Sequence, residues 1–267
     1  MIRPPAVANQ FYDGDPNRLR RQLDYLVPSR SQVEKVIAII SPHAGYIYSG
    51  HIAGAVYAQI TVPDTVIILG PSHTGLGVPG SVMSHGSWST PLGMVPINEK
   101  LATDIISSCP LLEEDIQAHL YEHSLEVQLP FLQYRNPDIS IVPICLAGFD
   151  YSQCKQIGTS IANTIETYNK PTLIVASSDM THYESQESAE TKDKMAIEQI
   201  LKLDPEALLT TTIKNNITMC GVIPVTITLI AALQLGAKEA KLVKYATSGD
   251  INGDYSHVVG YAGMIIK

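Results

Sequence analysis

Three short β-branched apolar runs, each stopped by a small-residue turn that carries a histidine, constrain the fold of this chain more than any other feature. Val36-Ile37-Ala38-Ile39-Ile40 leads into Ser41-Pro42-His43-Ala44-Gly45-Tyr46, and Val66-Ile67-Ile68-Leu69 into Gly70-Pro71-Ser72-His73-Thr74-Gly75. Thr172-Leu173-Ile174-Val175-Ala176 leads into Ser177-Ser178-Asp179-Met180-Thr181-His182-Tyr183. Runs of this length with no polar alternation read as strands buried on both faces, the pattern of a parallel sheet covered by helices. Each histidine then stands just past the carboxyl end of a strand, the edge at which open α/β sheets bind ligands. One imidazole so placed can simply stiffen its own loop. Three of them in one chain, joined by Asp179, favour a site that binds a transition metal or does acid–base work.

Between these strands the chain reads as helices. Asp15-Pro16 predicts an N-cap and first helical residue, with a helix to about residue 26. Further helices are predicted over about 51–60, 96–108, 151–168, 186–203, 205–214 and 224–235, and further strands near 139–145, 241–246 and 258–266. Strands alternate with helices throughout, and no repeat, low-complexity tract or linker divides the chain. The predicted fold class is therefore α/β: a single-domain α/β/α sandwich over residues 1–267, around a largely parallel or mixed sheet. At 267 residues such a domain can bury roughly 70–75% of its unfolded surface.

Composition excludes several function classes. The formal net charge is −8 and no Lys/Arg cluster occurs, which argues against a phosphate-backbone partner and hence against nucleic acid. No apolar run approaches the roughly 20 residues that cross a bilayer, and the first residues lack the apolar core of a signal peptide. A cytoplasmic protein without a membrane partner is the expectation. The four cysteines, Cys109, Cys145, Cys154 and Cys220, show neither zinc-ribbon nor disulfide-framework spacing.

Further candidates lie elsewhere. In His119-Leu120-Tyr121-Glu122-His123-Ser124-Leu125-Glu126, a helix would put His119, His123 and Glu126 on one face, a trio that could itself bind a metal. Leu125, Leu129 and Leu132 also ask to be buried there, so Glu122, His123 and Glu126 are read as supporting or substrate-facing groups. The Gly/Pro/Ser-rich stretch from Thr74 to Gly93, with His85 and the single tryptophan Trp88, reads as a long loop able to cover a site. His51 is read as a capping or surface histidine. Cys220 precedes Gly221 and an apolar helix, whose dipole would favour its thiolate as a ligand or nucleophile. Gly249 to His257 reads as a tight turn, since it lacks the spacing of a calcium loop.

Pro42-His43-Ala44-Gly45-Tyr46, Gly70-Pro71-Ser72-His73, Glu122-His123-Ser124-Leu125-Glu126, Ser177-Ser178-Asp179 with His182, and Cys220-Gly221, in this order, resemble the Memo family, whose microbial members are also called AmmeMemoRadiSam system protein B. The resemblance extends over nearly the whole chain. It implies a fold like that of the class III extradiol dioxygenases, which open catechol rings with non-haem Fe(II) and dioxygen. It also implies a pocket in which His43, His73 and Cys220 are metal ligands for Fe(II) or Cu, with Zn as a further candidate. Asp179 and His182 fall on the family's remaining pocket residues, His182 where the dioxygenases keep an acid–base histidine. Beside the resemblance, catalytic roles are expected of His182, Asp179 and His123, and substrate contacts of Glu122 and Tyr46. A thiolate where the dioxygenases have a carboxylate leaves the metal and the reaction open. The expected function is a metal-dependent oxidoreductase acting on a small substrate. The alternatives are a non-catalytic module that binds a peptide or small molecule in the same pocket, and a zinc-assisted hydrolase.

Overall fold

The computed structural model describes residues 1–267. Its strands are β1 (Ile2–Arg3), β2 (Ala38–Ser41), β3 (Thr65–Pro71), β4 (Gly80–Val82), β5 (Ser87–Thr90), β6 (Gly93–Pro96), β7 (Glu113–Glu114), β8 (Ser140–Leu146), β9 (Thr172–Ser177), β10 (His182–Glu184), β11 (Ala240–Thr247) and β12 (Val258–Ile266). Its helices are α1 (Pro16–Leu26), α2 (Tyr46–Tyr57), α3 (Glu99–Ser108), α4 (Leu129–Arg135), α5 (Tyr151–Tyr168), α6 (Gln186–Leu201), α7 (Pro205–Lys214), α8 (Val222–Gln234) and the single turn α9 (Gly249–Asn252).

The large sheet runs β10-β12-β2-β9-β3-β8-β4-β7, with β11 also paired to β12. Its centre is parallel: β2 pairs with β9, β9 with β3, and β3 with β8. Antiparallel β12 and β4 flank that centre, so the sheet is mixed, as expected. Every residue of β2 and β3 is buried, which is what their unbroken apolar runs demanded. Helices α2 and α8 pack directly on the central strands, α1 and α4 lie against α2, and α5 and α7 against α8. One cluster of 69 buried apolar residues fills the layers.

Local rules place the helix starts. Asp15, Asp150 and Asp204 each accept backbone N–H groups of the first turn, and proline follows Asp15 and Asp204 where a missing N–H costs nothing. The parallel register carries the β2, β3 and β9 turns to one edge of the sheet, so His43, His73 and the Asp179–His182 segment meet there.

The structure corrects three local expectations. Helix α2 begins at Tyr46, directly after Gly45, so His51 lies within it and caps nothing. The stretch 74–93 is no open lid: β4 joins the large sheet, and β5 pairs with β6 and β1 in a small second sheet. Trp88 there is fully buried, and His85 pairs with Glu114 at 2.7 Å, outside the pocket described below. Finally, 117–128 forms two 3-10 turns, Gln117–His119 and Glu126–Gln128, in place of a helix. Side chains have taken the groups a helical ladder would use: Arg3 donates to the carbonyls of His119 and Glu122, and the Glu122 carboxylate accepts the N–H groups of His123 and Ser124.

Candidate metal centre

A pocket of about 510 Å³ opens at the carboxyl edge of the parallel strands. His43, His73, His123, His182, Asp179 and Cys220 line it, walled by Phe11, Tyr183 and Tyr261, with no lysine or arginine. Donor atoms of His43, His73 and His123 lie within 4.8 Å of one another. Their rings are 4.5 to 5.5 Å apart, centre to centre.

Hydrogen bonds fix how two of these imidazoles face the pocket. The Ser177 hydroxyl donates its one proton to the carbonyl of Ser124 at 2.6 Å, so it can only accept from His43 Nδ1 at 2.9 Å. His73 Nδ1 is 2.9 Å from a Glu122 carboxylate oxygen, which likewise only accepts. Nδ1 of each ring is thereby the donor, so Nε2 is the atom each turns toward the pocket, where a metal would take it. Burial, reinforced by the neighbouring imidazoles, holds His43 well below the usual histidine range. Burial likewise lowers His123, so both rings are neutral near pH 7.

Glu122 is the hub beneath them. Fully buried, it accepts the N–H of His73 at 2.5 Å, His73 Nδ1, and the N–H groups of His123 and Ser124 at 2.8 Å each, and it lies 3.3 Å from His123 Nδ1. Burial alone would raise its pKa, but the hydrogen bonds it accepts from the His73 ring and from the backbone amides hold it at about 2. It has no free oxygen aimed at a substrate; its part is to orient the two histidines.

On the opposite side of His43, Asp179 accepts the His43 N–H at 2.8 Å, and Cys220 Sγ lies 3.3 Å from His43 Nε2. Cys220 comes this close because residue 221 is glycine: a Cβ there would collide with Ser178 and the carbonyl of Ser177. Burial, then the Asp179 charge, pushes the Cys220 thiol up, opposite to the shift expected from the helix dipole. Burial also raises the Asp179 carboxyl, against hydrogen bonds from the His43 and Ala44 amides. His182 is gripped by Thr218, whose hydroxyl accepts its N–H at 2.7 Å and whose carbonyl accepts from Nδ1 at 2.9 Å. This again leaves Nε2 free.

Of the residues singled out in the sequence, the structure thus gathers His43, His73, His123, Asp179, His182 and Cys220. The triangle of closest donors is closed by His123, with Cys220 reaching it only through His43. Tyr46 does not reach the pocket: it is buried against Tyr12 and Phe131, and its hydroxyl donates to the carbonyl of Val127 at 2.7 Å. His119 is buried 5.8 Å from Trp88, away from the donors. Phe11, Thr218 and Arg3 carried no signal in the sequence, since nothing local ties them to the strand-end motifs.

A model of the Memo-like protein family matches residues 3–265. The chain belongs to the Memo family. MEMO1 family proteins resemble it along their full length: that of Aquifex aeolicus is 44% identical, covering 99% of this chain and 98% of its own. Those of Methanocaldococcus jannaschii and Methanopyrus kandleri are 43% and 41% identical, each covering 100% of this chain and 99% of its own. The crystal structure of an uncharacterized Escherichia coli K12 protein superposes with a TM-score of 0.58 at 12% identity, over 86% of this chain and 100% of that one, a likeness of fold. This Memo-family α/β chain therefore carries a three-histidine cluster able to hold a metal, and none of its helices is long and apolar enough to cross a membrane.

Proposed function

We propose that this protein is a metal-dependent oxidoreductase acting on a small organic molecule, with His43, His73 and His123 holding Fe(II) or copper and Cys220 beside them. The convergence of three imidazoles on one open pocket, those of His43 and His123 held neutral by burial, carries the reading. Two of them have Nε2 freed by bonds at Nδ1, and imidazole donors suit Fe, Cu and Zn. Bound there, iron or copper would supply electron-transfer and dioxygen chemistry. The protein's own part is to orient and to move protons: His182 Nε2 accepts a proton from a substrate hydroxyl or amine, and Phe11, Tyr183 and Tyr261 hold an apolar portion of that molecule. The lining has no cation to grip a phosphate chain, in keeping with a small-molecule ligand.

A second reading, zinc-assisted hydrolysis, is favoured by the composition of the closest donor set, three histidines and no carboxylate. Elemental analysis of protein purified without oxygen decides first, run beside His43→Ala, His73→Ala, His123→Ala and Cys220→Ala. Stoichiometric iron or copper lost in the three histidine variants, with metal-dependent oxygen uptake abolished in His182→Ala, supports the oxidoreductase. Zinc, with activity independent of oxygen, supports the hydrolase. Protein that takes up no metal after reconstitution overturns both and leaves a metal-free binding pocket for a peptide or small molecule.

A further inference from the structure

We propose that Arg3, outside the pocket, is a positioning residue for the metal donors His73 and His123, acting through Glu122. The inference rests on the metal-binding reading above and adds a part for the amino-terminal segment. Arg3 is completely buried, stacked 4.1 Å over the Trp88 ring. Its guanidinium donates to the carbonyl of His119 at 2.8 Å, to that of Glu122 at 2.6 Å, to that of Pro4 at 3.3 Å, and to the Glu126 carboxylate. Glu126 in turn accepts the N–H groups of Ala6 and Val7 at 2.7 and 3.1 Å and the Tyr12 hydroxyl at 2.6 Å. The segment from Arg3 to Tyr12 is thus strapped across residues 119–126.

That span has no helical or strand ladder of its own, yet it must present the Glu122 carboxylate to two histidines within hydrogen-bond tolerance. The bonds from Arg3 to carbonyls 119 and 122 fix its backbone on one side. The carboxylate fixes His73 and His123 on the other. A planar fork with several donors can satisfy this set of acceptors, and a lysine cannot. Groups that orient metal-binding histidines typically change metal affinity 10- to 100-fold when altered.

The test is Co²⁺ titration of the metal-free full chain, followed by visible absorption, for wild type, Arg3→Lys and Leu19→Ala. Leu19 is buried in α1, so its truncation lowers thermal stability with no link to Glu122. Arg3→Lys is expected to bind Co²⁺ about 10- to 100-fold more weakly, with a changed spectrum. Leu19→Ala is expected to keep wild-type affinity and spectrum. Wild-type affinity and spectrum in Arg3→Lys would overturn the proposal alone, whereas absence of Co²⁺ binding by the wild type would sink the metal reading and this proposal with it. Should Arg3→Lys fail to fold, hydrogen exchange on the wild type decides. Coupling is reciprocal, so metal loading must slow exchange at the Ala6 and Val7 amides, and unchanged exchange there refutes the link.

Discussion

Glu122→Gln tests the organisation of the site most directly, because it keeps the shape of the side chain and alters only what its atoms can accept. One carboxylate oxygen takes His73 Nδ1 and the N–H groups of His123 and Ser124, and the other takes the N–H of His73. A glutamine can place its single oxygen on the first group, which then turns its NH₂ toward the His73 N–H. Two donors face each other in a fully buried position, and each unsatisfied donor costs about 1–3 kcal/mol. Adding the loss of a charged acceptor, the metal-free variant should be less stable by about 3 kcal/mol, a fall in Tm of roughly 6–12 °C for a chain of this size. Metal affinity should fall about 10- to 100-fold as the His73 ring loses its fixed tautomer. Thermal unfolding without metal and Co²⁺ titration measure the two effects separately. A variant within 1–2 °C of wild type, binding metal equally well, would refute the argument that this carboxylate organises the donors.

Four other outcomes follow from the same geometry. Glu122 is held at about 2 against an ordinary 4.5, so its contribution, about 3 kcal/mol, is fully present above pH 4.5 and lost as the pH falls toward 2. His43, His119 and His123 are lowered, so the unfolded chain takes up their protons first and metal-free stability should already decline below about pH 6.5; urea midpoints that stay constant from pH 7.5 to 5 would contradict this. Tyr46→Phe should cost about 1 kcal/mol by losing the bond to Val127 while leaving metal affinity unchanged, and a changed affinity would return Tyr46 to the site. With the half-buried Cys220 thiol pushed up and the other three cysteines buried, the native metal-free protein should react with iodoacetamide at pH 8 at least about tenfold more slowly than free cysteine, and rapid labelling at Cys220 would count against the protonated thiol.

The sheet was legible because its signals are local. Val66 to Leu69 is apolar without alternation, and only a strand covered on both faces satisfies that. The aspartate caps before Pro16 and Pro205 announced their helices for the same reason. Reading failed where a distant side chain replaced the backbone's own partners. Nothing near Gln117 announces that Arg3 will take the carbonyls of residues 119 and 122, and without it the stretch has the spacing of a helix. The segment with Trp88 misled in the same way, since its turn-forming residues are local while the partners of β4 and β5 lie in β8 and β1.

The site divides along the same line. Its pocket-facing groups could be found because strand ends must deliver them: a parallel sheet gives each strand one exit at the ligand edge, and His43, His73 and Asp179 occupy three such exits. What those groups do depends on partners that no spacing rule supplies. His43 presents Nε2 because Ser177 spends its proton on Ser124, and His73 because Glu122 has no proton to give. His182 presents Nε2 because Thr218 offers a carbonyl. The helix dipole was a sound local reason to expect a thiolate at Cys220, but the adjacent Asp179 and the depth to which Gly221 lets the cysteine sink act in the opposite sense. In a site assembled from strand ends, the sequence locates the donors, whereas the proton on each donor is set by groups from elsewhere in the chain. The decisive variants are therefore those of Glu122, Thr218 and Arg3, which touch the proton and the orientation while leaving every candidate ligand in place.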